Sequence, residues 1–571
     1  MDYKMKYEQW LNSTAIDDTD KKDLLSIKDN DSEIEERFYT DLAFGTGGMR
    51  GIRGVGTNRM NKYMIRKATQ GLANYMLKVD KEKAIKCGVA IAYDCRIGST
   101  EYALNTALVL AANGIKAYLF ESLRSTPELS FAVRETGSLA GVVVTASHNP
   151  VEYNGYKVYW DDGAQIVEPH ADGVVAEVNA IEDLSEIKLI SEEEARNKGL
   201  IIDIGTEIDN KYIETIKKEV IRKDIAGKEN FKIVYSPLHG TGKRPVQRVL
   251  KEMGFNSVFT VKEQAEPDGN FPTVGYANPE EPAVFKLAIS LADEVGATVC
   301  MANDPDADRI GIAVKDGNTW VYPNGNQVGL LLMNYILENK KDIPANGAVI
   351  STVVSTPMLE TVAKAHNVKV FRTLTGFKYI GEKIREFETK ALDGTYLFGF
   401  EESYGYLIGT HARDKDAIVS TLIIAEMAAY YASIGSDIAS ELKKMYDKYG
   451  WYKEGIISVT MSGKEGAEKI KNIMNTLRAN PPKEINGIKA TILKDFDLQV
   501  ETNILNGEKS TINLPKSDVI QVILEDGTHI TARPSGTEPK IKYYFGVNAK
   551  DEKSVEEKME AMKKAFTEIV K

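Results

Sequence analysis

Gly141-Val142-Val143-Val144-Thr145-Ala146-Ser147-His148-Asn149-Pro150 is the stretch on which the reading of this 571-residue chain turns. Three consecutive valines read as a buried β-strand, because β-branched side chains pack well on a pleated surface. Pro150 cannot donate to a ladder, so Ser147 falls on a turn at the carboxyl end of that strand. In open α/β sheets that edge is where ligands gather. A hydroxyl set among Thr145, His148 and Asn149 is a candidate nucleophile or phosphorylation site; the alternative is an ordinary polar turn.

Outward from this stretch the pattern alternates. Val89–Tyr93 reads as a strand, Ala103–Asn113 as a helix and Lys116–Phe120 as a strand again, with a polar Asp94-Cys95-Arg96 tip. Such alternation predicts α/β layers with mainly parallel strands. The turn Ser125-Thr126-Pro127-Glu128-Leu129 recurs as Ser355-Thr356-Pro357-Met358-Leu359. Ser236-Pro237-Leu238-His239-Gly240-Thr241-Gly242 holds a comparable place after the strand Phe231–Tyr235. Units more than a hundred residues apart indicate three related α/β domains, not a short-period solenoid. A chain of this length is expected to hold about three to five domains.

Composition narrows the function classes. An apolar fraction of 43% with 27% charged residues is that of a soluble globular protein. The formal net charge of −11 argues against a general nucleic-acid binder, and an anionic substrate would need basic residues gathered locally. Cys87, Cys95 and Cys300 are scattered, which implies neither a disulfide framework nor a zinc site. The charged start Met1-Asp2-Tyr3-Lys4 does not read as a signal peptide, and no run approaches ~18 apolar residues. The expectation is a cytoplasmic protein without nucleic-acid or membrane partners.

Tyr3, Tyr7, Trp10 and Leu11, then Ile34, Phe38 and Leu42 after an Asp31-Ser32 start signal, predict a packed helical lead-in. Phe44–Gly54 is rich in glycine but matches neither GxGxxG nor a P-loop; with Arg50 and Arg53 it reads as an anion site or as a turn into the first strand. Lys157 lies ten residues from Ser147 and either faces the same cleft or decorates a hairpin. Asp304-Pro305-Asp306-Ala307-Asp308-Arg309 lies between strand-like runs. Carboxylates at alternate positions can aim at one point and hold a hard cation, with a solvated acidic hairpin as the alternative. The EF-hand pattern fails, since its glycine and glutamate positions carry Arg309 and Lys315.

Thr373–Lys378 reads as a Gly-containing loop before a helix over Tyr379–Phe387. Glu401 and Ser403, two apart on an extended segment, would point to one side and suit sugar hydroxyls. His411–Asp416 reads as a charged loop with Asp416 capping the helix Ala417–Tyr431. The last part begins near Gly450, with strands over Glu454–Met461 and Ser517–Leu524. Arg533-Pro534-Ser535-Gly536-Thr537 has the parts of a phosphate nest. The closing helix carries a packing stripe of Val555, Met559, Met562, Phe566 and Ile569.

With TASHNP, DPDADR, GFEES and RPSGT in this order across nearly the whole length, the chain resembles the α-D-phosphohexomutase superfamily, and within it the bacterial phosphoglucomutases. The resemblance implies an α/β fold of four domains around a central cleft. The first three would be related α/β units with mixed sheets sandwiched by helices, and the fourth a smaller α+β domain. Boundaries are expected at 1–205, 206–322, 323–448 and 449–571. It further implies that Ser147 is the phosphorylated serine and that Asp304, Asp306 and Asp308 hold Mg²⁺ together with a phosphoserine oxygen. Arg309 would contact phosphate. Arg50, His148 and Lys157 would lie near the transferring group, with Lys157 the first choice of base through a pKa lowered by neighbouring cations; His239, His148 and Lys415 stay open for that role. Thr375, Gly376 and Lys378 would orient the sugar, Glu401 and Ser403 read its hydroxyls, Lys415 line the substrate site, and Arg533, Ser535, Gly536 and Thr537 hold the distal phosphate. The implied reaction converts glucose 1-phosphate and glucose 6-phosphate through glucose 1,6-bisphosphate, on a phosphorylated hexose, in a monomer or homodimer. Glu401-Glu402-Ser403-Tyr404-Gly405 departs from the GEMSGH of dual mannose/glucose enzymes and favours glucose. Mannose and pentose phosphates, a Mg-dependent sugar phosphatase and a non-catalytic sugar-phosphate sensor are the alternatives.

Overall fold

The computed structural model describes residues 2–570 other than Thr46, Ser462 and 536–539, and the backbone alone at Gly463 and Lys464. The chain forms two compact units. The first comprises Met1–Pro323, Ile380–Leu392 and Tyr404–Ile434, and the second Asn324–Tyr379, Asp393–Ser403 and Gly435–Lys571.

The first unit opens with helices Tyr3–Asn12, Asp18–Ser26 and Asp31–Phe38. Tyr7 and Trp10 meet Phe38 edge to face, with ring centroids 5.8 and 5.7 Å apart. The cap of the third helix is Asn30, whose side chain accepts from the Glu33 amide, one residue before the expected start signal. A six-stranded sheet follows, from β1 (Gly48–Ile52), β2 (Val89–Tyr93), β3 (Ala117–Phe120), β4 (Ala140–Val144), β5 (Tyr153–Trp160) and β6 (Ile201–Ile204). Its order is β1-β5-β4-β2-β3-β6. The strands β4, β2, β3 and β6 run parallel, and β5 and β1 add an antiparallel edge. The strand β4 is buried along its whole length, which accounts for its uninterrupted apolar run.

A second sheet repeats the plan on a smaller scale. It is built from β7 (Ile233–Ser236), β8 (Val258–Thr260), β9 (Val299–Asn303), β10 (Ile310–Asp316) and β11 (Thr319–Val321), in the order β11-β10-β9-β7-β8. Here too parallel strands (β8, β7, β9) end in an antiparallel edge hairpin. The helix Ala417–Ser433 is apolar all round and buried on nearly every side, as a core helix must be. Asp416 caps it through the Ile418 and Val419 amides, as expected. No single helix among the described residues is long and apolar enough to cross a membrane.

The second unit contains the parallel strands Gly347–Thr352, Lys369–Thr373 and Thr395–Glu401. It ends in an antiparallel sheet from Trp451–Thr460 to Lys540–Ala549, covered by helices Gly463–Ala479 and Glu552–Ile569. The architecture is thus three α/β/α layers with mixed sheets and a C-terminal antiparallel sheet domain. Strand limits differ from expectation at the ends: Trp451 replaces Glu454 as a start and Ile520 replaces Ser517. In the closing helix Val555, Met559, Met562 and Phe566 are buried, whereas Ile569 is 43% exposed in the last turn.

Gly71 lies inside the helix Lys62–Cys87, where alanine has the higher intrinsic propensity. A Cβ there would meet Val178 Cγ2 at 2.4 Å and the Val178 amide nitrogen at 2.7 Å, on the backbone of helix His170–Asn179. Gly71→Ala is therefore expected to destabilise the first unit by about 1–3 kcal/mol through overpacking. A fall in the thermal midpoint checks this; an unchanged or raised midpoint contradicts it.

Candidate active site

The parallel sheet delivers Ser147 to its carboxyl edge three residues beyond β4. Ser147 has φ 51°, a left-handed conformation uncommon for a residue with a side chain. That conformation is held by a network the sequence reading reduced to a polar tip. The Ser147 amide donates to Thr145 Oγ1 (2.8 Å), and Thr145 Oγ1 donates to Asp94 Oδ2 (2.6 Å). Asp94 Oδ1 accepts from Ser99 Oγ and the Arg96 amide. Burial pushes the Asp94 carboxyl up, against the pull of Arg96 and these donors. The Arg96 guanidinium donates to the carbonyls of Ser147 (2.6 Å), Pro150 (2.9 Å), Tyr153 (3.0 Å) and Asn149. It also lies over the Phe271 ring, 5.0 Å from its centroid. The signal for both residues lay in topology: β2 is the parallel neighbour of β4, so its end shares the edge that carries Ser147.

The hairpin β9–β10 brings the acidic loop to the serine. Ser147 Oγ donates to Asp304 Oδ2 at 2.8 Å and lies 3.2 Å from His148 Nδ1. Asp304, Asp306 and Asp308 are buried, each offering an oxygen within 4.8 Å of the others. The turn is tight, with Ala307 at φ 51° and the Asp308 and Arg309 amides donating to Asp304 Oδ1. Asp306 Oδ2 accepts from Thr126 Oγ1 (2.8 Å) and Lys157 Nζ (2.9 Å); Asp308 Oδ2 accepts from Lys157 (3.3 Å) and faces Lys415 (3.1 Å). Asp306 Oδ1 and Asp308 Oδ1 are buried without a hydrogen-bond partner. Two such orphaned anionic oxygens cost about 1–3 kcal/mol each or more, and a hard cation on the cluster relieves both. The donor set therefore fits Mg²⁺, and an acidic hairpin in solvent does not describe it.

Electrostatics within the cluster divide the carboxylates. Burial, then repulsion from Asp306 and Asp308, pushes Asp304 well above the carboxylate range. For Asp306 and Asp308 burial is outweighed by the ammonium groups, Lys157 at Asp306 and Lys415 with Lys157 at Asp308, and both are held low. The same pairing corrects the expectation for Lys157. Burial disfavours its charge, but Asp306 and Asp308 together outweigh that, so its pKa is raised and not lowered. His148 moves the other way: burial, then Arg309 and Arg50, push it down to about 2, leaving a neutral ring at pH 7.

Arg50 on β1 donates to Asn149 Oδ1 at 2.8 Å, which ties the glycine-rich segment to the serine turn. Lys157 stands on β5, in the cleft-facing alternative. Arg309 bonds Glu280 at 2.9 Å. Lys415 is buried and bonds Asp414, whose other oxygen accepts from the Tyr159 hydroxyl. His239 is engaged elsewhere, 2.8 Å from Thr273 Oγ1.

The remaining expected residues lie in the second unit. Glu401 ends the strand Thr395–Glu401, but Ser403 follows in a turn that leads to Tyr404 at φ 61°. The two are not neighbours on an extended segment, so strand alternation does not place them on one side. Glu402 accepts from Thr352 (2.8 Å) and Ser355 (3.3 Å) hydroxyls. Thr375 and Gly376, the latter at φ 121°, form the bend after Lys369–Thr373. The next helix starts at Phe377, so Lys378 sits in its first turn and not in the loop, with its ammonium 4.8 Å from the Tyr379 ring centroid. Arg533 pairs with Lys542 across the last sheet, and the Ser535 amide donates to the Lys540 carbonyl. Gly536 and Thr537 lie outside the described residues.

A multidomain α/β protein with a strained serine on a buried, cation-ready carboxylate cluster defines a class that handles phosphoryl groups. Residues 41–185, 210–317 and 324–449 match alpha/beta/alpha domains I, II and III of phosphoglucomutase/phosphomannomutase. A phosphoglucomutase of Staphylococcus aureus (strain MRSA252) is 37% identical over 535 residues, covering 93% of this chain and 94% of that protein. The fold is similar to that of a putative phosphomannomutase from Thermus thermophilus (TM-score 0.67, 20% identity, 93% of this chain and 99% of the other). It is similar also to the open form of pp63/parafusin from Paramecium (TM-score 0.67, 19% identity, 90% and 91%). The chain belongs to the phosphoglucomutase/phosphomannomutase family of phosphohexomutases.

Arg96→Ala leaves the carbonyls of Ser147, Asn149, Pro150 and Tyr153 without their shared buried donor. It is expected to cost about 3–5 kcal/mol locally and to speed amide exchange over residues 145–153. Exchange in that segment equal to wild type would contradict the assigned role.

Proposed function

We propose that this phosphohexomutase is a phosphoglucomutase that interconverts glucose 1-phosphate and glucose 6-phosphate through phosphorylated Ser147 and glucose 1,6-bisphosphate. The observation that carries the reading is the 2.8 Å contact between Ser147 Oγ and a buried three-carboxylate cluster. Beside His148, the hydroxyl is set against carboxylates that could hold a cation, as a phosphoryl carrier requires. Mg²⁺ held by Asp304, Asp306, Asp308 and a Ser147 phosphate oxygen would supply charge neutralisation for the transferring group.

In the forward step the phosphorus–oxygen bond to Ser147 breaks and one to the free sugar hydroxyl forms, while the hydroxyl proton leaves to a base. The bisphosphate reorients, and its other phosphate returns to Ser147. Three aspartates and a phosphoserine, which carries about −1.5 to −2, need the cation and more. Lys157, Lys415, Arg309 and Arg50 offset the rest, so we assign Lys157 to stabilising charge and not to removing the proton. His148 is beside Ser147, but the burial and the two arginines that keep it neutral also make it a weak base, so the proton acceptor is left unassigned. We assign sugar recognition to Glu401, Ser403, Thr375, Gly376 and Lys378, and the non-reacting phosphate to Arg533, Ser535, Gly536 and Thr537. The four domains at 1–205, 206–322, 323–448 and 449–571 then each contribute one loop. The likeness to the staphylococcal enzyme and the Glu401–Gly405 sequence favour glucose over mannose or pentose phosphates.

A coupled assay with glucose 1-phosphate, Mg²⁺ and a trace of glucose 1,6-bisphosphate tests this. Wild type is expected to form glucose 6-phosphate, and Ser147→Ala to lose at least about a thousandfold in rate. Retained activity in the variant overturns the role of Ser147; no glucose 6-phosphate from wild type, with turnover of mannose or ribose phosphates, overturns the substrate. Release of inorganic phosphate instead of sugar phosphate would mark a phosphatase.

A further inference from the structure

Beside the segment Gly240–Thr241, which is bonded to the carboxylate loop, the first unit has an open pocket of about 640 Å³ that no role assigned above uses. That is the size of a small-molecule pocket. Leu123, Tyr212, Ile213 and Pro267 give it an apolar wall. The facing wall is the helix Lys243–Glu252, on which Arg244, Arg248 and Lys251 recur at i, i+4 and i+7 and so line one face. That helix begins at Gly242 with no side-chain cap, so its positive end opens at the same place as Lys243 and Arg244.

Positive charge is in surplus. Five basic side chains, Arg124 among them, line the cavity against Glu128, Asp209 and Glu266. Asp209 is committed to Arg124 by bonds of 2.7 and 3.0 Å, and Glu266 to Lys243. Glu128 is pushed well up by burial and by the hydrogen bond it shares with Asp209, and lies 3.8 Å from Arg124 Nε. Arg244 is 62% exposed in its side chain and only 3.4 Å from Asp209 Oδ2, and Arg248 is paired with Glu252 of its own helix. Arg248 can turn to an incoming anion without stripping a buried partner, and when Arg244 turns, Asp209 keeps its two bonds to Arg124.

We propose that this cavity is a second binding site, for a small phosphomonoester with an apolar body. The phosphate would sit at the start of helix Lys243–Glu252 between Lys243 and Arg244, with the body against Leu123 and Pro267. The position is consequential. The Thr241 amide donates to the Pro305 carbonyl at 2.8 Å, and a Cβ on Gly240 would lie 2.5 Å from Pro305 Cα. On the other side the Thr126 amide donates to the Asp306 carbonyl at 2.9 Å, two residues before Glu128. A ligand here therefore touches segments bonded directly to the loop that carries Asp304, Asp306 and Asp308.

Phenyl phosphate is the probe. Calorimetric titration of the full chain is expected to show binding that Arg244→Glu/Arg248→Glu weakens about tenfold or more, while mutase activity without the probe stays at the wild-type level. Amide exchange of the wild-type protein, which needs no variant, is expected to slow over residues 240–251 with the probe present. No binding at millimolar probe, equal affinity in the double variant, or protection confined to residues 145–149 would each overturn the site, since the probe would then bind only at the catalytic serine or not at all.

Discussion

Three carboxylates shut away from water within one six-residue loop are the constraint to which the rest of the first unit answers. Each is costly to bury alone, and together they repel. Compensation comes from segments far apart in the chain: Thr126 at a helix start, Lys157 on an antiparallel edge strand, and Lys415 in the loop before a core helix. The chain thus has to bring its first sheet, its second sheet and the segment Tyr404–Ile434 together before the acidic loop can be buried. What looks like a metal site is equally the electrostatic keystone of the unit.

The serine is positioned by the opposite means. Its hydroxyl is set on Asp304, while a buried Asp94 and Arg96 fix the backbone around it, one through Thr145 and the other through main-chain carbonyls, that of Ser147 included. An arginine serving several carbonyls at once makes the turn rigid, which suits a hydroxyl whose conformation is strained. The conformation of Ser147 therefore depends on the neighbouring strand as much as on its own loop.

Much of this was legible in the sequence. The valine run before Ser147 could hardly be anything but a central strand, and alternate aspartates between two strands could converge only in a hairpin. Lys157 was legible in position but not in charge state, because its pKa is set by aspartates some 150 positions away, whose proximity no local pattern encodes. The extended reading of Glu401–Ser403 failed for a local reason: the chain turns at 402–404, with Tyr404 left-handed, just where alternation assumed a straight strand. Asp94 and Arg96 looked like no more than a polar tip because most of their partners lie about 50 positions away, on the segment 145–153. The parallel order of β2 and β4, once known, explains them at a glance.

The lysine bridge across Asp306 and Asp308 also bears on how the protein comes to hold its metal. Small zinc domains gather their ligands only when the ion arrives, so that metal supply governs whether they fold. Here Lys157 and Lys415 occupy Oδ2 of Asp306 and Asp308 and offset part of the charge of the acidic loop. Oδ1 of Asp306 and of Asp308 stays open, so a cation held there would add to the two ammonium groups and would not have to replace them.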